Sequence, residues 1–338
     1  MIKKKHFLFG LKILFSVVLV GYVLQSVGAE RALDHILGAS PAWLLAALAL
    51  MVAQIFVCAF RWRAVLKVYD NPLSYSQAFR FFYIGTFFNQ ALPASVGGDA
   101  IRSYRAYKSG MALGQSVGSV FLDRIATVLA LIFLVAAMVP FVIDGMSGNI
   151  QALKFSVIAL LVLGVGGTVF LMFLDRVPDA FKRFRAVHHL AVFAGDVRKV
   201  FLSPSTVVPL MFWAILGHIN LSLVVWVLSL SIGVNISLVD CLALFPLVLL
   251  IQTMPISIAG WGVREGAMVE VFAMAGVLAP GALAVSLLFG IVAAVSSLPG
   301  GWLWISSREH NLEEAEVLSE MDVGEDLEIE AFEQSHKN

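Results

Sequence analysis

The sequence contains, at residues 115–142, the stretch QSVGSVFLDRIATVLALIFLVAAMVPFV, whose charged residues are Asp123 and Arg124. A helix needs about 20 mostly apolar residues to cross the hydrocarbon core of a bilayer. This stretch therefore predicts a membrane-spanning helix, and five other segments share its length and apolar character. The six predicted spans are 7–28, 41–60, 115–142, 153–174, 206–233 and 280–306.

Composition indicates an integral membrane protein and excludes an ordinary soluble domain. The 338 residues are 59% hydrophobic and 14% charged, with a mean hydropathy of +0.89, whereas soluble domains contain roughly 25% charged residues. The formal net charge is zero, but residues 309–338 contain 11 Asp and Glu against one Lys. We therefore predict a transmembrane domain over residues 1–308 and an acidic, disordered cytoplasmic tail over residues 309–338.

Basic residues predict the orientation, because short cytoplasmic loops accumulate Lys and Arg. Lys3, Lys4 and Lys5 place the N-terminus inside, and the basic loops near 61–80 and 175–204 then fall on the same side. The first apolar segment exceeds the roughly 7–15 residues of a signal-peptide core, so we expect a retained helix. The short loops and the Lys and Arg bias are typical of a bacterial inner membrane protein with both termini in the cytoplasm.

This orientation requires that residues 77–108 enter the membrane from the cytoplasm and return to it. Pro93 removes a backbone hydrogen-bond donor, and Gly97 and Gly98 adopt conformations closed to other residues, so the helix must break in this stretch. Asp99 then lies in the first turn of a second helix, where a carboxylate complements the positive helix end. The basic residues that follow near one face of this helix are Arg102 and Arg105.

Residues 240–276 follow the same plan and must enter from the outer face. An apolar half-helix precedes Pro255, and the next helix opens on adjacent opposite charges; the glycines and charges are Gly260, Gly262, Arg264 and Glu265. Paired broken helices in oppositely oriented halves point to a transporter site near the midplane. The predicted fold class is an all-α integral membrane protein with about six spans and two interrupted re-entrant hairpins, a plan typical of an inverted repeat.

A simpler interpretation remains open for both segments. Glycine and proline are common in membrane helices, so each break is also compatible with an ordinary loop, and the neighbouring charges with side chains that reach water at the interface. Charges inside a span usually pair or line a pathway. Arg124 is therefore expected to neutralise either Asp123 or Asp99.

Three stretches together resemble the transmembrane region of lysylphosphatidylglycerol synthases, a flippase-like family that includes stand-alone proteins. They are residues 89–105, Phe-Leu-Asp-Arg at 121–124 and Gly-Trp-Gly-Val-Arg-Glu at 260–265. The most specific parts are Pro-x-x-x-Gly-Gly-Asp-x-x-Arg at 93–102 and Gly-x-Arg-Glu at 262–265. The resemblance extends over about residues 7–306 and implies movement of a phospholipid or related amphipathic lipid between leaflets.

Multidomain synthases of this family add a soluble aminoacyl-transferring domain after the membrane region. Here an acidic tail of 30 residues follows residue 308, so lysyl transfer is not expected. A membrane transferase acting on a lipid phosphate, with Asp99 or Glu265 as acid or base, is the alternative function. A regulatory partner that works through the acidic tail is a third.

Recognition of a lipid phosphate is the chemistry that these residues favour. Guanidinium groups bind phosphate through two parallel hydrogen bonds, and helix starts at Gly98 and Gly262 offer backbone donors. We expect the carboxylates Asp99, Asp123 and Glu265 either to keep the site from trapping anions permanently or to respond to protons. The candidate substrate-binding residues are Asn89, Pro93, Gly97, Gly98, Asp99, Arg102, Arg105, Asp123, Arg124, Pro255, Gly260, Gly262, Arg264 and Glu265.

The sequence predicts no cofactor and no nucleic-acid partner; the predicted partner is a membrane lipid, anionic or phosphate-bearing. It contains no Gly-x-x-x-x-Gly-Lys-Ser/Thr pattern for nucleotide binding. His188 and His189 lie in the basic connector, where an amphipathic surface helix over 178–200 is expected rather than a metal site.

Overall fold

The computed structural model describes residues 29–69, 73–91, 97–143, 150–176, 185–253 and 260–307. Within these ranges the regular structure is helical, without strands. The helices are α1 (Ala29–Leu37), α2 (Pro41–Leu66), α3 (Tyr75–Ala91), α4 (Gly97–Lys108), α5 (Leu113–Val142), α6 (Ile150–Met172), α7 (Arg185–Phe201), α8 (Pro204–Ser231), α9 (Leu238–Gln252), α10 (Val263–Ala273) and α11 (Ala279–Ser306). The first predicted span, Pro93, Pro255 and the acidic tail lie outside the described residues, as do the side chains of His188 and His189.

Five of these helices are long and apolar enough to cross a membrane, namely α2, α5, α6, α8 and α11. They correspond to five of the six predicted spans, which confirms the helical membrane fold. The helix of the second predicted span continues past Phe60 to Leu66, and the point at which it leaves the membrane stays a prediction. Arg61 and Arg63 therefore belong to the helix and not to a cytoplasmic loop. The apolar run in the sequence stops at Phe60 because Arg61 follows it, although the backbone hydrogen bonds of the helix continue to Leu66.

An antiparallel pair, α2 and α8, organises the bundle. At one end, the Ser40 backbone N–H donates to the Ser231 carbonyl at 2.8 Å. Midway, the Asn220 side chain donates to Gln54. Beyond it, the rings of Phe60 and Trp213 stack with centroids 4.7 Å apart. We call the end of the bundle that contains Ser40 and Ser231 the Ser40 end. The opposite end, where α2 finishes at Leu66, is the Leu66 end.

Two buried cores fill the two ends. Trp62, Leu66, Leu122 and Leu210 belong to the core at the Leu66 end. The larger core at the Ser40 end is built by α8, α9, α10 and α11, and its fully buried side chains include Leu228, Leu244, Phe245, Phe272 and Leu283. Each end of the bundle thus has its own hydrophobic core.

The two interrupted segments are helix pairs that begin at opposite ends of the bundle. The pair α3 and α4 flanks residues 92–96 and starts at the Leu66 end, where Tyr75 stacks on Phe60 at 4.2 Å. The pair α9 and α10 flanks residues 254–259 and starts beyond Ser231, at the Ser40 end. This arrangement is the one that oppositely directed hairpins require, and their depth in a bilayer stays a prediction.

Glycines allow α3 to approach its neighbours closely. A Cβ atom on Gly300 of α11 would lie 2.2 Å from the Tyr83 carbonyl oxygen, and the Tyr83 hydroxyl donates to the Ser296 carbonyl at 2.9 Å. Small residues permit such backbone contact between membrane helices. α3 is therefore held against α11 by direct backbone packing.

We expect Gly300→Ala to lower the free energy of unfolding by about 1–3 kcal/mol, the usual effect of forcing an extra methyl group into a packed contact. Gly166→Ala is the matched control, because nothing lies within 4 Å of a Cβ atom at Gly166. Reversible unfolding in detergent measures both variants. Equal stability of Gly300→Ala and Gly166→Ala would show that α3 does not rest on α11 in this way.

Candidate functional site

Five charged residues meet at the Leu66 end and form what we call the arginine–aspartate cluster: Arg61, Asp99, Arg102, Asp123 and Arg124. The Asp123 carboxylate is its centre. Arg61 Nε donates to Asp123 Oδ1 at 2.7 Å and Arg61 Nη2 to Oδ2 at 3.1 Å. Arg102 Nη1 donates to Oδ2 at 2.9 Å. One carboxylate therefore holds two guanidinium groups, one from α2 and one from α4.

Asp99 is the second carboxylate of the cluster and connects α4 to α5. Its Oδ1 accepts from Arg102 Nη2 at 3.2 Å, and its Oδ2 accepts from Arg124 Nε at 2.7 Å. Between the two alternatives left by the sequence, Arg124 thus pairs with Asp99 and not with Asp123. The ion pairs form a chain in the order Arg61, Asp123, Arg102, Asp99, Arg124.

The side chains in this series of ion pairs differ in how deeply they are buried. The Asp123 and Arg102 side chains are 1% and 3% exposed, whereas that of Arg124 is 51% exposed. Arg102 also lies over the rings of Trp62 and Phe82, at 4.7 and 4.8 Å from their centroids. Asp123 and Arg102, at the buried end of this series of ion pairs, are thus enclosed by other side chains. Arg124, at the other end, is accessible from outside the bundle.

The cluster has an excess of positive charge. Three arginines face two aspartates, which leaves one unit of positive charge at neutral pH. Arg105, one turn beyond Arg102, is also buried, and its Nη2 donates to Ser307 Oγ at 3.5 Å. An anion would complete the charge balance of the cluster.

The start of α4 is shaped by a glycine contact. The Gly98 N–H donates to Asn89 Oδ1 at 2.9 Å. A Cβ atom at Gly98 would lie 1.9 Å from the Gly85 carbonyl oxygen, so a side chain does not fit there. Gly97 is buried beside it. The donor predicted to bind an anion at Gly98 is therefore occupied by Asn89.

A second polar group lies at the Ser40 end, which we call the arginine–glutamate cluster: Arg264, Glu265 and Ser286. Arg264 Nη2 and Nε donate to Glu265 Oε1 at 2.6 and 3.1 Å. Ser286 Oγ of α11 donates to the same oxygen at 3.2 Å. All three side chains are buried, and the cluster is electrically neutral.

Glycines also build the start of α10. Gly260 and Gly262 have φ of 80° and 87°, the left-handed region that favours glycine. The Gly262 N–H donates to Glu265 Oε2 at 2.5 Å, so this predicted anion donor is occupied as well. A Cβ atom at Gly290 of α11 would lie 2.5 Å from Arg264 Nη2. Arg264 therefore lies directly against the α11 backbone.

The structure arranges the candidate residues as two groups rather than one. In the contacts of the described residues, Arg102 and Arg124 pair with the aspartates, while Arg264 pairs with Glu265 and Ser286. Glu265 neutralises Arg264 within the second helix pair, whereas Arg102 of the first pair is held by Asp123 of α5 as well as by Asp99. The role of both groups in lipid binding stays a prediction.

Sequence reasoning missed three contributors to these groups, Arg61, Trp62 and Ser286. Arg61 was assigned to a cytoplasmic loop, although a charge directly after a long apolar run is also compatible with the last turns of the span. Trp62 and Ser286 carry no charge, and Ser286 lies in the apolar segment of α11, so no sequence signal distinguished them. Their roles depend on which helices become neighbours.

Between the two clusters lies an uncharged polar contact. The Asn220 side chain donates to the Leu50 carbonyl and to Gln54, both at 2.9 Å. His218, on the same helix α8, places Nε2 3.1 Å from the Thr127 carbonyl of α5. These bonds join α2, α5 and α8 in the middle of the bundle.

Polar contacts outside the spans attach α7 at the Leu66 end. The Tyr69 hydroxyl donates to Asp196 of α7 at 3.3 Å, and burial together with the Asp196 carboxylate raises the pKa of Tyr69. Arg198 of α7 pairs with Asp175, and this hydrogen bonding lowers the pKa of the Asp175 carboxyl. Both tyrosine and aspartate therefore keep their ordinary neutral-pH forms.

Metal-binding residues do not gather in the part of the chain that the structure describes. No group of three His, Cys, Asp or Glu side chains has the arrangement to hold a metal ion there. Cys58 and Cys241 are buried free thiols. The described carboxylates of the two clusters pair with arginines.

Comparison with known proteins agrees with this architecture. Residues 9–300 match the family described as the lysylphosphatidylglycerol synthase TM region. A UPF0104 membrane protein of Methanothermobacter thermautotrophicus is 24% identical over 321 residues, covering 82% of this chain and 89% of that protein. Because the family match extends over most of its length, the chain belongs to the lysylphosphatidylglycerol synthase transmembrane-region family.

Proposed function

We propose that this protein moves a phosphate-bearing membrane lipid between the two leaflets of the bilayer. The observation that carries the proposal is the arginine–aspartate cluster, with three arginines and two aspartates beside an interrupted helix. Buried charge in membrane helices is expensive and is usually retained for a pathway or a site. A phosphate would supply the negative charge that the cluster lacks.

The proposed role of the aspartates is to make binding reversible. Arginine binds phosphate and carboxylate with the same two-pronged geometry, so a phosphate and Asp99 compete for the same donors. When the lipid leaves, Asp99 restores the ion pairs and no guanidinium remains unpaired in the membrane. Exchange of one anion for another lowers the free-energy difference between the loaded and empty states.

The two helix pairs supply the proposed movement. α4 begins at Gly97, with Gly98 against the Gly85 backbone, and α10 follows Gly262, whose backbone is left-handed. Helix pairs that begin at opposite ends of one bundle suit alternating access, in which one half rocks against the other. The neutral arginine–glutamate cluster would hold the second pair together while the first exchanges its anion.

Orientation follows from the distribution of basic residues and is part of the proposal. The Leu66 end carries Arg63, Lys67, Arg80, Arg176 and Arg198 on connected helices and turns. Because Lys and Arg accumulate on the cytoplasmic side, we place the Leu66 end, and with it the arginine–aspartate cluster, in the cytoplasmic half of a bacterial inner membrane. The lipid would then be bound from the inner leaflet.

The alternative of a membrane transferase has weaker support. Asp99 and Glu265 were the candidates for an acid or base, and both are engaged with arginines. All four carboxylate oxygens already accept a hydrogen bond within the protein. The geometry therefore favours binding over proton transfer.

Translocation in proteoliposomes tests the function. We expect the protein to accelerate the leaflet exchange of fluorescent phosphatidylglycerol at least about tenfold over protein-free vesicles, a rate change of about 1.4 kcal/mol in barrier. A fluorescent glycosyl diacylglycerol with the same chains has a polar headgroup without phosphate and should show much less acceleration. Mass spectrometry of the recovered lipid should find it unmodified.

Two results would count against this function. Equal acceleration of both lipids would indicate general perturbation of the bilayer rather than phosphate recognition. Chemical modification of the recovered phospholipid, with the headgroup changed or removed, would instead support the transferase.

A further inference from the structure

The exposed face of α5 is apolar except for one arginine. Leu113, Val117 and Phe121 are exposed at 42%, 36% and 60%, and the Arg124 side chain at 51% follows on the same stripe. Residues at spacings of three and four share one face of a helix. Phe121 meets the Phe193 ring of α7 at 6.3 Å, and Arg124, one turn further along, is directed outward from the described helices rather than toward the bundle axis.

Arg124 lies at membrane depth. α5 has 30 residues, which at 1.5 Å per residue makes it about 45 Å long against roughly 30 Å of hydrocarbon. Arg124 is 11 residues from Leu113, or roughly 16 Å along the axis. Even if the whole excess length projected beyond the Leu113 end, Arg124 would lie at the hydrocarbon boundary. With the excess shared between the ends, it lies several ångströms inside.

The guanidinium of Arg124 is partly committed. Its Nε donates to Asp99 Oδ2 at 2.7 Å, while Asp99 also accepts from Arg102 through its other oxygen. Asp99 is itself 13% exposed, unlike the deeply buried Asp123. Displacement of Asp99 from Arg124 would leave Asp99 paired with Arg102. This ion pair is therefore the one in the cluster that an incoming anion can replace without stranding a buried charge.

We propose that the phosphate of a membrane phospholipid binds Arg124 laterally, from the lipid-facing side between α4 and α5, by replacing Asp99 on the guanidinium. The acyl chains remain in the bilayer along the apolar stripe of Val117 and Phe121, while the headgroup enters the cluster. The role of this binding in transport rests on the proposed function. The binding itself is a separate property.

Retention of lipid by the full-length protein, measured by native mass spectrometry in detergent, tests the inference. The probes are phosphatidylglycerol and a glycosyl diacylglycerol with the same chains. We expect wild type to retain phosphatidylglycerol preferentially. Arg124→Gln should weaken that retention about five- to tenfold, the effect of one charge-assisted contact, and bring it to the level of the glycolipid.

Three further variants have distinct expected results. Arg176→Gln removes an exposed arginine outside the spans and should leave retention unchanged. Asp99→Asn removes the competing carboxylate and should strengthen retention of phosphatidylglycerol. Arg124→Lys, which keeps the charge without the two-pronged geometry, should fall between wild type and Arg124→Gln.

Several outcomes overturn the inference. Equal losses of phosphatidylglycerol retention in Arg124→Gln and Arg176→Gln would show that surface charge alone explains the binding. Weaker retention in Asp99→Asn would contradict the replacement of Asp99 by the lipid phosphate. Displacement of the lipid by millimolar inorganic phosphate would show a site for free phosphate rather than for a headgroup. If retention behaves as expected but no lipid crosses the bilayer, the proposed function fails and the lateral site stands.

Discussion

Asp123→Ala is expected to lower the free energy of unfolding by about 3–5 kcal/mol, as breaking a buried ion pair usually does. The reason is that Asp123 is 1% exposed and neutralises both Arg61 and Arg102. Removing it leaves Arg61 without a described ion-pair partner and Arg102 with Asp99 alone. Reversible unfolding in detergent, followed by helical circular dichroism, measures the change.

A matched control separates burial from charge. Asp175 also pairs with an arginine, Arg198, but both side chains are partly exposed outside the spans. Asp175→Ala should therefore change stability far less, because solvent screens exposed pairs. Similar losses in Asp123→Ala and Asp175→Ala would contradict the view that the arginine–aspartate cluster is a buried, structurally required site.

Glu265→Ala is expected to have an effect of similar size, about 3–5 kcal/mol. It leaves Arg264, which is 3% exposed, without its carboxylate, and it removes the acceptor of the Gly262 N–H at the start of α10. Hydrogen exchange should show the loss concentrated in α9, α10 and α11, since those helices surround Glu265.

The double variant Glu265→Ala, Arg264→Met is the control for this prediction. Replacing both members of a buried ion pair by apolar groups is often neutral or stabilising, whereas removing one is strongly destabilising. The double variant should therefore recover much of the stability lost in Glu265→Ala. A double variant less stable than Glu265→Ala would show that Arg264 stabilises the fold through contacts other than its charge, such as its position over the Trp261 ring.

Most of the helical architecture was predictable because apolar runs of sufficient length have one solution in a bilayer. The spans near 115–142 and 280–306 were predicted within two residues of α5 and α11. The positions of the breaks followed from glycine chemistry, and Gly98, Gly260 and Gly262 do show close contacts or left-handed backbone. The end of α2 was not predictable in the same way, because a hydropathy count stops at Arg61 although the helix does not.

Most charged members of the two clusters could be singled out from the sequence, but their pairing could not. Asp99, Arg102, Asp123 and Arg264 were identified as charges beside a break or inside a span. Which arginine meets which carboxylate depends on how helices pack, and one sequence does not contain that information. The separation into a positively charged cluster and a neutral one follows from that pairing, as does the place of Arg61 beside Asp123.

The most direct test of phosphate-lipid translocation through the arginine–aspartate cluster is leaflet exchange of fluorescent phosphatidylglycerol by Arg102→Gln in proteoliposomes. This substitution removes the excess positive charge and still leaves Asp123 with Arg61 and Asp99 with Arg124. We predict that the folded variant loses most of the wild-type acceleration and that Arg102→Lys restores part of it. Wild-type exchange by a folded Arg102→Gln protein would contradict the claim that this cluster carries the lipid phosphate.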